Sequence, residues 1–161
     1  MLRITDQYFW NFVFSLFFLG LTVTGTIILE GEGYRPIQSF TLVDFILITL
    51  ATFRLIRLFV YDAITKFFRE QFWDAKVAGK KVVLEKPVSG PRRTLADLLS
   101  CPWCFGVWAA ATVTFFYALT PYAYFFVVFL AISGVATFLQ LLSNMVGHRA
   151  EQLKNQNERG F

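Results

Sequence analysis

The feature that most constrains this chain is a series of long apolar runs. The first, Tyr8 to Leu29, contains 22 residues and no charged side chain. A helix rises about 1.5 Å per residue, so about 20 apolar residues cross the roughly 30 Å hydrocarbon core of a bilayer. The run is longer than the apolar part of a signal peptide and no small-residue cleavage pattern follows it, so we expect a retained membrane anchor.

The remaining apolar runs predict three more membrane spans. A composition of 56% hydrophobic and 19% aromatic residues over 161 residues is too apolar for a soluble domain. The chain is therefore predicted to be an all-α, multi-pass integral membrane protein with four transmembrane helices in a single domain, residues 1–161. The predicted spans cover residues 8–29, 40–60, 102–119 and 122–143, and residues 150–161 are expected to form a flexible tail.

Asp44 is the carboxylate inside a predicted span, and a charge within the membrane is a functional-site hypothesis by default. It lies close to the outer boundary, and Arg54 is about 80° away round the helix. The spacing therefore predicts neither a buried pair between these two residues nor a proton relay. A small transporter is accordingly the third hypothesis for function.

The segment from about residue 61 to 100 is basic and predicted to be cytoplasmic, and within it Ala75 to Arg93 resembles soluble loop or a short strand at Val82-Val83-Leu84. The helical pattern runs on from Arg54, with an apolar stripe formed by Ile64, Phe67, Phe68 and Phe72. This pattern predicts an amphipathic helix on the inner leaflet, and the alternative is that the stripe packs on the protein itself. Thr94 and Asp97 have the spacing of a capping box, which predicts a helix starting at Leu95.

The basic residues predict the orientation of the spans. Fourteen of the fifteen Lys and Arg residues fall on one side of the four-span arrangement, and Arg35 alone falls on the other. Because cytoplasmic loops carry the excess of positive charge, both termini are predicted to be cytoplasmic. The bilayer is the expected partner, since no nucleic-acid recognition pattern accompanies the charge.

Both cysteines of the chain lie in one box, Cys101-Pro102-Trp103-Cys104, at the start of the third predicted span. In a redox interpretation, the helix N-terminus lowers the pKa of Cys101, its thiolate attacks, and Cys104 resolves. In a metal interpretation, the box supplies half of a tetrahedral zinc site, completed by a second copy or by His148. His148 lies about 15 Å further along straight helices, so this site would need a bend at Gly147 or the helix after Thr94 to fold back. In the third interpretation, the cysteines are small buried side chains that pack near Trp103 and Trp108, and they neither bind metal nor react.

Four charged residues close to the end of the second predicted span form a candidate ionic cluster: Arg54, Arg57, Asp62 and Arg69. Such a cluster would hold the end of this helix against headgroups or against the cysteine box. The alternative is a solvated, positively charged flank of the membrane span.

Three segments carry a resemblance to a known family: ATFRLIRLFVYD at 51–62, REQF at 69–72 and LLSCPWCFGVW at 98–108. Together they resemble the uncharacterised bacterial and phage membrane proteins catalogued as domain of unknown function thirteen-sixty, which include a sporulation-associated protein of bacilli. The resemblance covers about residues 45 to 142. It implies a multi-pass membrane protein and no particular activity, cofactor or catalytic residue.

The sequence thus favours a non-enzymatic scaffold or interaction protein of the bacterial inner membrane, assembling through the cysteine box with a second copy or another membrane protein. A membrane thiol-disulfide oxidoreductase using Cys101 and Cys104 is the alternative. No phosphate-binding loop or Ser-His-Asp pattern indicates another enzyme.

Overall fold

The computed structural model describes residues 6–78 and 81–158, which form a bundle of helices with one small β-hairpin. The helices are α1 (Asp6–Glu32), α2 (Leu42–Ile56), α3 (Lys66–Glu70), α4 (Pro91–Ser100), α5 (Pro102–Leu119) and α6 (Ala123–Glu158). Within the described residues, α1, α5 and α6 are long and apolar enough to cross a membrane. Helix α2 has 15 residues, and a π-helical turn, Arg57–Tyr61, extends it.

Helix α2 lies at the centre and packs against α5 and α6. The core between them contains Ile48, Ala51, Val113, Tyr117 and Val127. Gly134 brings α6 and α2 into backbone contact, because a Cβ at this position would lie 2.6 Å from the carbonyl oxygen of Leu50. Small residues at such crossings allow helices to approach closely.

Helix α1 lies at the side of the bundle and packs on α4 and α5. The rings of Phe18 and Trp108 are 4.8 Å apart. Much of the remaining apolar surface of the bundle is exposed: Phe12 and Ile27 of α1 and Phe125 of α6 are all more than half exposed. The bundle is therefore apolar on its outside as well as in its core.

The expected continuous amphipathic helix after Arg54 is wrong. The helix ends at Asp62, whose backbone is extended (φ −69°, ψ 146°), and only a 3₁₀ turn and the five-residue α3 follow. Two side chains bind the backbone carbonyls of the final turn: Thr65 donates to Leu58 and Arg69 donates to Phe59. Side chain to backbone bonds of this kind compete with a continuing helix.

The apolar stripe of this segment divides into two parts. Phe68 lies between Phe59 and Phe72 in a row of edge-on aromatic contacts, with ring centroids 6.2 Å and 5.7 Å apart. Ile64 and Phe67 are 73% and 68% exposed, whereas Phe68 is 41% exposed. The alternative, that the stripe packs on the protein, therefore holds for Phe68 and Phe72 only.

The hairpin is a departure from the all-helical prediction. Strand β1 (Asp74–Ala78) pairs antiparallel with β2 (Lys81–Glu85), with Ala75 opposite Leu84.

Helix α4 begins at Pro91, after Gly90 with φ +97°, and not at Leu95. The predicted capping box is wrong because Thr94 is buried and bonded to α1. Gln7 donates to its hydroxyl at 2.9 Å, and this hydroxyl donates to Asn11 at 3.1 Å.

Helix α6 continues without interruption through Gly147 to Glu158, across most of the residues for which a flexible tail is predicted. Residues 1–5, which include Arg3, residues 79–80, which include Lys80, and residues 159–161 lie outside the described residues.

Candidate functional site

At one end of the bundle a carboxylate is buried where three elements meet. Asp44, in the first turn of α2, is 5% exposed. Arg35, from the loop between α1 and α2, binds it with both terminal nitrogens of its guanidinium group. Nη1 donates to Oδ1 at 3.0 Å, and Nη2 donates to Oδ2 at 3.2 Å. A bidentate pair of this kind is geometrically specific, so it holds the loop in one position over α2.

The same carboxylate accepts further bonds. The backbone N–H of Thr41 donates to Oδ2 at 2.8 Å, and Thr41 and Asp44 form a capping box at the start of α2. The Tyr117 hydroxyl, from α5, donates to Oδ1. The backbone N–H of Arg35 also donates to the carbonyl of Ala118 at 3.0 Å. These bonds join the α1–α2 loop, α2 and α5. We refer to Arg35, Thr41, Asp44 and Tyr117 as the Asp44 cluster.

The pairing of Asp44 is a result that the sequence reasoning missed. That reasoning considered a partner on the same helix, Arg54, and correctly found it misplaced. Two signals in the sequence point to the actual arrangement: the Thr41-x-x-Asp44 spacing of a capping box, and the position of Arg35 as the one basic residue between the first two predicted spans.

The other end of the bundle carries the residues of the candidate ionic cluster. Arg54 Nη1 and Asp62 Oδ2 form an ion pair at 2.8 Å. Arg57 instead stacks on Tyr61, with 4.5 Å from the guanidinium carbon to the ring centroid, and Arg69 donates to the carbonyl of Phe59 at 3.0 Å. The structure thus brings Arg54 and Asp62 together and directs Arg57 and Arg69 to other partners.

The cysteine box lies at the same end, at the start of α5. Cys101 is the N-cap residue, and its Sγ accepts the backbone N–H of Cys104 at 3.2 Å, while Pro102 occupies the first turn. Both cysteines are free thiols, and Cys104 is exposed. The hydrogen bonds from the Cys104 thiol and backbone N–H lower the pKa of Cys101 below that of an ordinary thiol.

His148 lies on the exposed distal half of α6. The bend at Gly147 that would bring it towards the cysteines is replaced by continuous helix. Across residues 6–78 and 81–158, no group of three or more His, Cys, Asp or Glu side chains is placed to hold a metal ion. One copy of the chain therefore brings Cys101 and Cys104 together without His148, and a zinc site shared between two copies stays a prediction.

These features define a class: a small, mostly helical protein with three helices that can cross a membrane and a Cys-Pro-Trp-Cys box at one end of its bundle. Residues 47–143 match the family model described as protein of unknown function (DUF1360), and the chain belongs to this family. The resemblance stated from the sequence motifs is thus confirmed.

Two relatives from Bacillus subtilis (strain 168) show the extent of the similarity. The chain is 34% identical over 103 residues to the sporulation protein YjcA, covering 60% of this chain and 87% of that protein. It is 37% identical over 99 residues to the UPF0713 protein YngL, covering 60% of this chain and 75% of that protein. No solved structure matches the chain.

The family match covers the two ends of the bundle unequally. It contains the cysteine box and Arg54, but it begins after Arg35, Thr41 and Asp44, so of the Asp44 cluster it includes Tyr117 alone. Helix α1 also lies outside it.

Proposed function

We propose that this chain is a non-enzymatic scaffold or interaction protein of the bacterial cytoplasmic membrane, which it crosses four times with both termini in the cytoplasm. Helices α1, α5 and α6 would form three spans. Helix α2 with its π-helical turn, Leu42 to Tyr61, is about 30 Å long and would form the fourth. The apolar outer surface of the bundle supports this proposal, because that surface would face lipid.

The observation that carries the proposal is the distribution of charge between the two ends of the bundle. At the Asp44 end, the positive charge of Arg35 is neutralised by a buried carboxylate. At the other end, Arg and Lys residues occur on the π-helical turn, α3, the hairpin and α4. The positive-inside rule assigns this second end, which we call the cysteine end, to the cytoplasm.

Reporter fusions test the orientation. Alkaline phosphatase is active only outside the cytoplasm, so a fusion after Tyr34 should be active and a fusion after Val88 inactive. The reverse pattern would contradict the proposed topology.

The scaffold part of the proposal includes assembly of two copies through the cysteine end. Trp103 is 84% exposed and Cys104 is exposed beside it, so both are accessible to a second copy. Four sulfurs from two boxes would suit a tetrahedral zinc ion. The test is zinc content together with oligomeric mass of the purified protein.

A shared site predicts about half a zinc per chain in a dimer, lost in Cys101→Ser and retained in His148→Ala. Loss of zinc in His148→Ala would indicate the site with His148 instead. A zinc-free protein that is monomeric would contradict assembly through the cysteine box.

A second candidate, a membrane thiol-disulfide oxidoreductase, is favoured by the geometry of Cys101 at the N-cap of α5. The Cys101 thiolate would attack a substrate disulfide and release one substrate thiolate. Cys104 would then attack the mixed disulfide, releasing the second and leaving Cys101 and Cys104 oxidised. Reaction of Cys101 with a bulky maleimide far faster than a model thiol near pH 7 would favour this candidate.

A transporter, the third hypothesis, requires a water-filled path to Asp44. The bonds from Arg35, Thr41 and Tyr117 support a structural role for this carboxylate.

A further inference from the structure

A cavity of about 330 Å³ lies at the cysteine end, between the π-helical turn that follows α2, α3 and the end of α4. Its lining includes Tyr61, Lys66, Arg69, Glu70, Trp73 and the buried Leu99. Ser100, directly before the cysteine box, also lines it. The cavity therefore lies where α2 ends and α5 begins, at the depth of lipid headgroups if the bundle spans a membrane.

We propose that this cavity binds the phosphodiester headgroup of an anionic glycerophospholipid from the inner leaflet. The inference rests on the proposed function, because the orientation of the bundle brings the cavity to that leaflet.

The charges of the cavity match this ligand. Lys66 and Arg69 are cationic and Glu70 is anionic, so the lining carries a net charge of about +1. Arg69 uses Nη1 for the carbonyl of Phe59, and a guanidinium has five N–H donors, so most remain for a phosphate. A phosphodiester has one negative charge, which matches the net charge of about +1 that the lining carries.

The contact between Lys66 and Glu70 leaves both groups able to bind a ligand. Lys66 Nζ and Glu70 Oε1 are 3.4 Å apart, and the Lys66 side chain is 62% exposed. Lys66 can therefore turn to a phosphate oxygen, and the Glu70 carboxylate can accept a hydrogen bond from a headgroup hydroxyl. The pair thus favours a headgroup that has both a phosphate and a hydroxyl, as phosphatidylglycerol does.

The surroundings suit the rest of the lipid. Tyr61 and Trp73 are residue types that occur at the membrane interface. Ile64 and Phe67, on the same short segment as Lys66, are 73% and 68% exposed. These two side chains would contact acyl chains while the cavity holds the headgroup.

The test compares lipids on the purified full-length protein in neutral detergent. Phosphatidylglycerol, phosphatidylcholine, phosphatidylethanolamine and inorganic phosphate are titrated separately, and bound adducts are counted by native mass spectrometry. We expect one phosphatidylglycerol to bind more tightly than the other three. A basic residue close to a membrane surface contributes about 1 kcal/mol, which is about fivefold in affinity. Lys66→Gln and Arg69→Gln should each weaken phosphatidylglycerol binding by about this factor.

Lys76→Gln is the matched control. The Lys76 side chain is also 62% exposed and pairs with one glutamate, Glu85, but it does not line the cavity. It should leave binding unchanged. An equal loss in Lys76→Gln would overturn the proposal in favour of diffuse surface attraction. Equal binding of phosphatidylcholine or phosphatidylethanolamine would contradict selection of an anionic headgroup. Equal affinity for inorganic phosphate would contradict the proposal that the ligand is a lipid.

The fusion experiment separates this inference from the proposed function. If the fusions after Tyr34 and Val88 behave as expected and phosphatidylglycerol is not selected, the lipid site alone fails. If the fusion pattern is reversed, the proposed topology and the inner-leaflet site fail together.

Discussion

The two ends of the bundle use charge in different ways. At the Asp44 end, one carboxylate with a 7% exposed side chain collects bonds from the preceding loop and from α5. At the cysteine end, ion pairs such as Arg54–Asp62 and Lys76–Glu85 have side chains between 20% and 62% exposed. A buried pair is costly to break, while exposed pairs contribute little to stability. Charge at the first end therefore holds the fold together, and charge at the second is available for orientation and binding.

The largest effect is expected from Asp44→Asn. It leaves the guanidinium of Arg35, whose side chain is 33% exposed, without its counter-charge and removes the charge that hydrogen bonds from Arg35, Thr41 and Tyr117 stabilise, so the free energy of unfolding in detergent should fall by about 3 kcal/mol. Asp62→Asn is the control at the cysteine end, where the Asp62 side chain is 26% exposed and about 1 kcal/mol or less is expected. Equal losses of stability in Asp44→Asn and Asp62→Asn would contradict the difference between the two ends of the bundle.

Tyr117→Phe should have the next largest effect. It removes one hydroxyl that donates to the Asp44 carboxylate, and a hydrogen bond to a charged group contributes about 1.5–3 kcal/mol. Thermal and denaturant unfolding of the detergent-solubilised protein measure the change. Tyr124→Phe is matched in chemistry but alters a tyrosine that is 53% exposed, so stability close to wild type is expected. A neutral Tyr117→Phe would show that Arg35 and Thr41 suffice to hold Asp44.

Arg54→Ala should lower stability by about 1 kcal/mol at most, because its ion pair with Asp62 is only partly buried. The melting temperature in detergent measures it. Arg149→Ala, on the exposed part of α6, is the control for loss of one positive charge. An unchanged melting temperature in both variants would show that the Arg54–Asp62 pair does not stabilise the fold.

The smallest effect is a shift in the titration of Cys101. Its lowered pKa means that the bond stabilising the thiolate is present above the ordinary thiol pKa and is lost as the pH falls through the lowered value. Alkylation of Cys101, read site by site by mass spectrometry, should therefore have its midpoint below that of a model thiol. Cys104→Ala should move the midpoint back up, since the largest cause is the Cys104 thiol. An unshifted wild-type midpoint would contradict the N-cap geometry.

The sequence predicts the long helices well because their signal is local. The apolar run at 102–119 coincides with α5, Pro102–Leu119, since Pro102 is preset for a first turn and Thr120-Pro121 ends the helix. The run at 8–29 likewise lies within α1, and the run at 122–143 lies within α6 apart from its first residue. Whether these helices cross a membrane stays a prediction.

The features that the sequence did not predict are non-local. Arg35 reaches Asp44 because of the path of the loop, and Tyr117 comes from α5, far along the chain. Thr94 has the spacing of a cap, yet contact with α1 gives its hydroxyl other partners. The helical pattern after Arg54 was real in sequence, but bonds from Thr65 and Arg69 to backbone carbonyls ended the helix. Periodicity does not report such competition.

We expect the two ends of the bundle to lie on opposite sides of a membrane, with the cysteine end in the cytoplasm. A membrane-impermeant maleimide applied to right-side-out spheroplasts tests it most directly. In the wild type, the exposed thiol of Cys104 should stay unlabelled until the membrane is permeabilised. In a Cys101→Ser, Cys104→Ser background, Glu32→Cys at the end of α1 should be labelled before permeabilisation. Labelling of Cys104 in intact spheroplasts, with Glu32→Cys protected, would contradict the account.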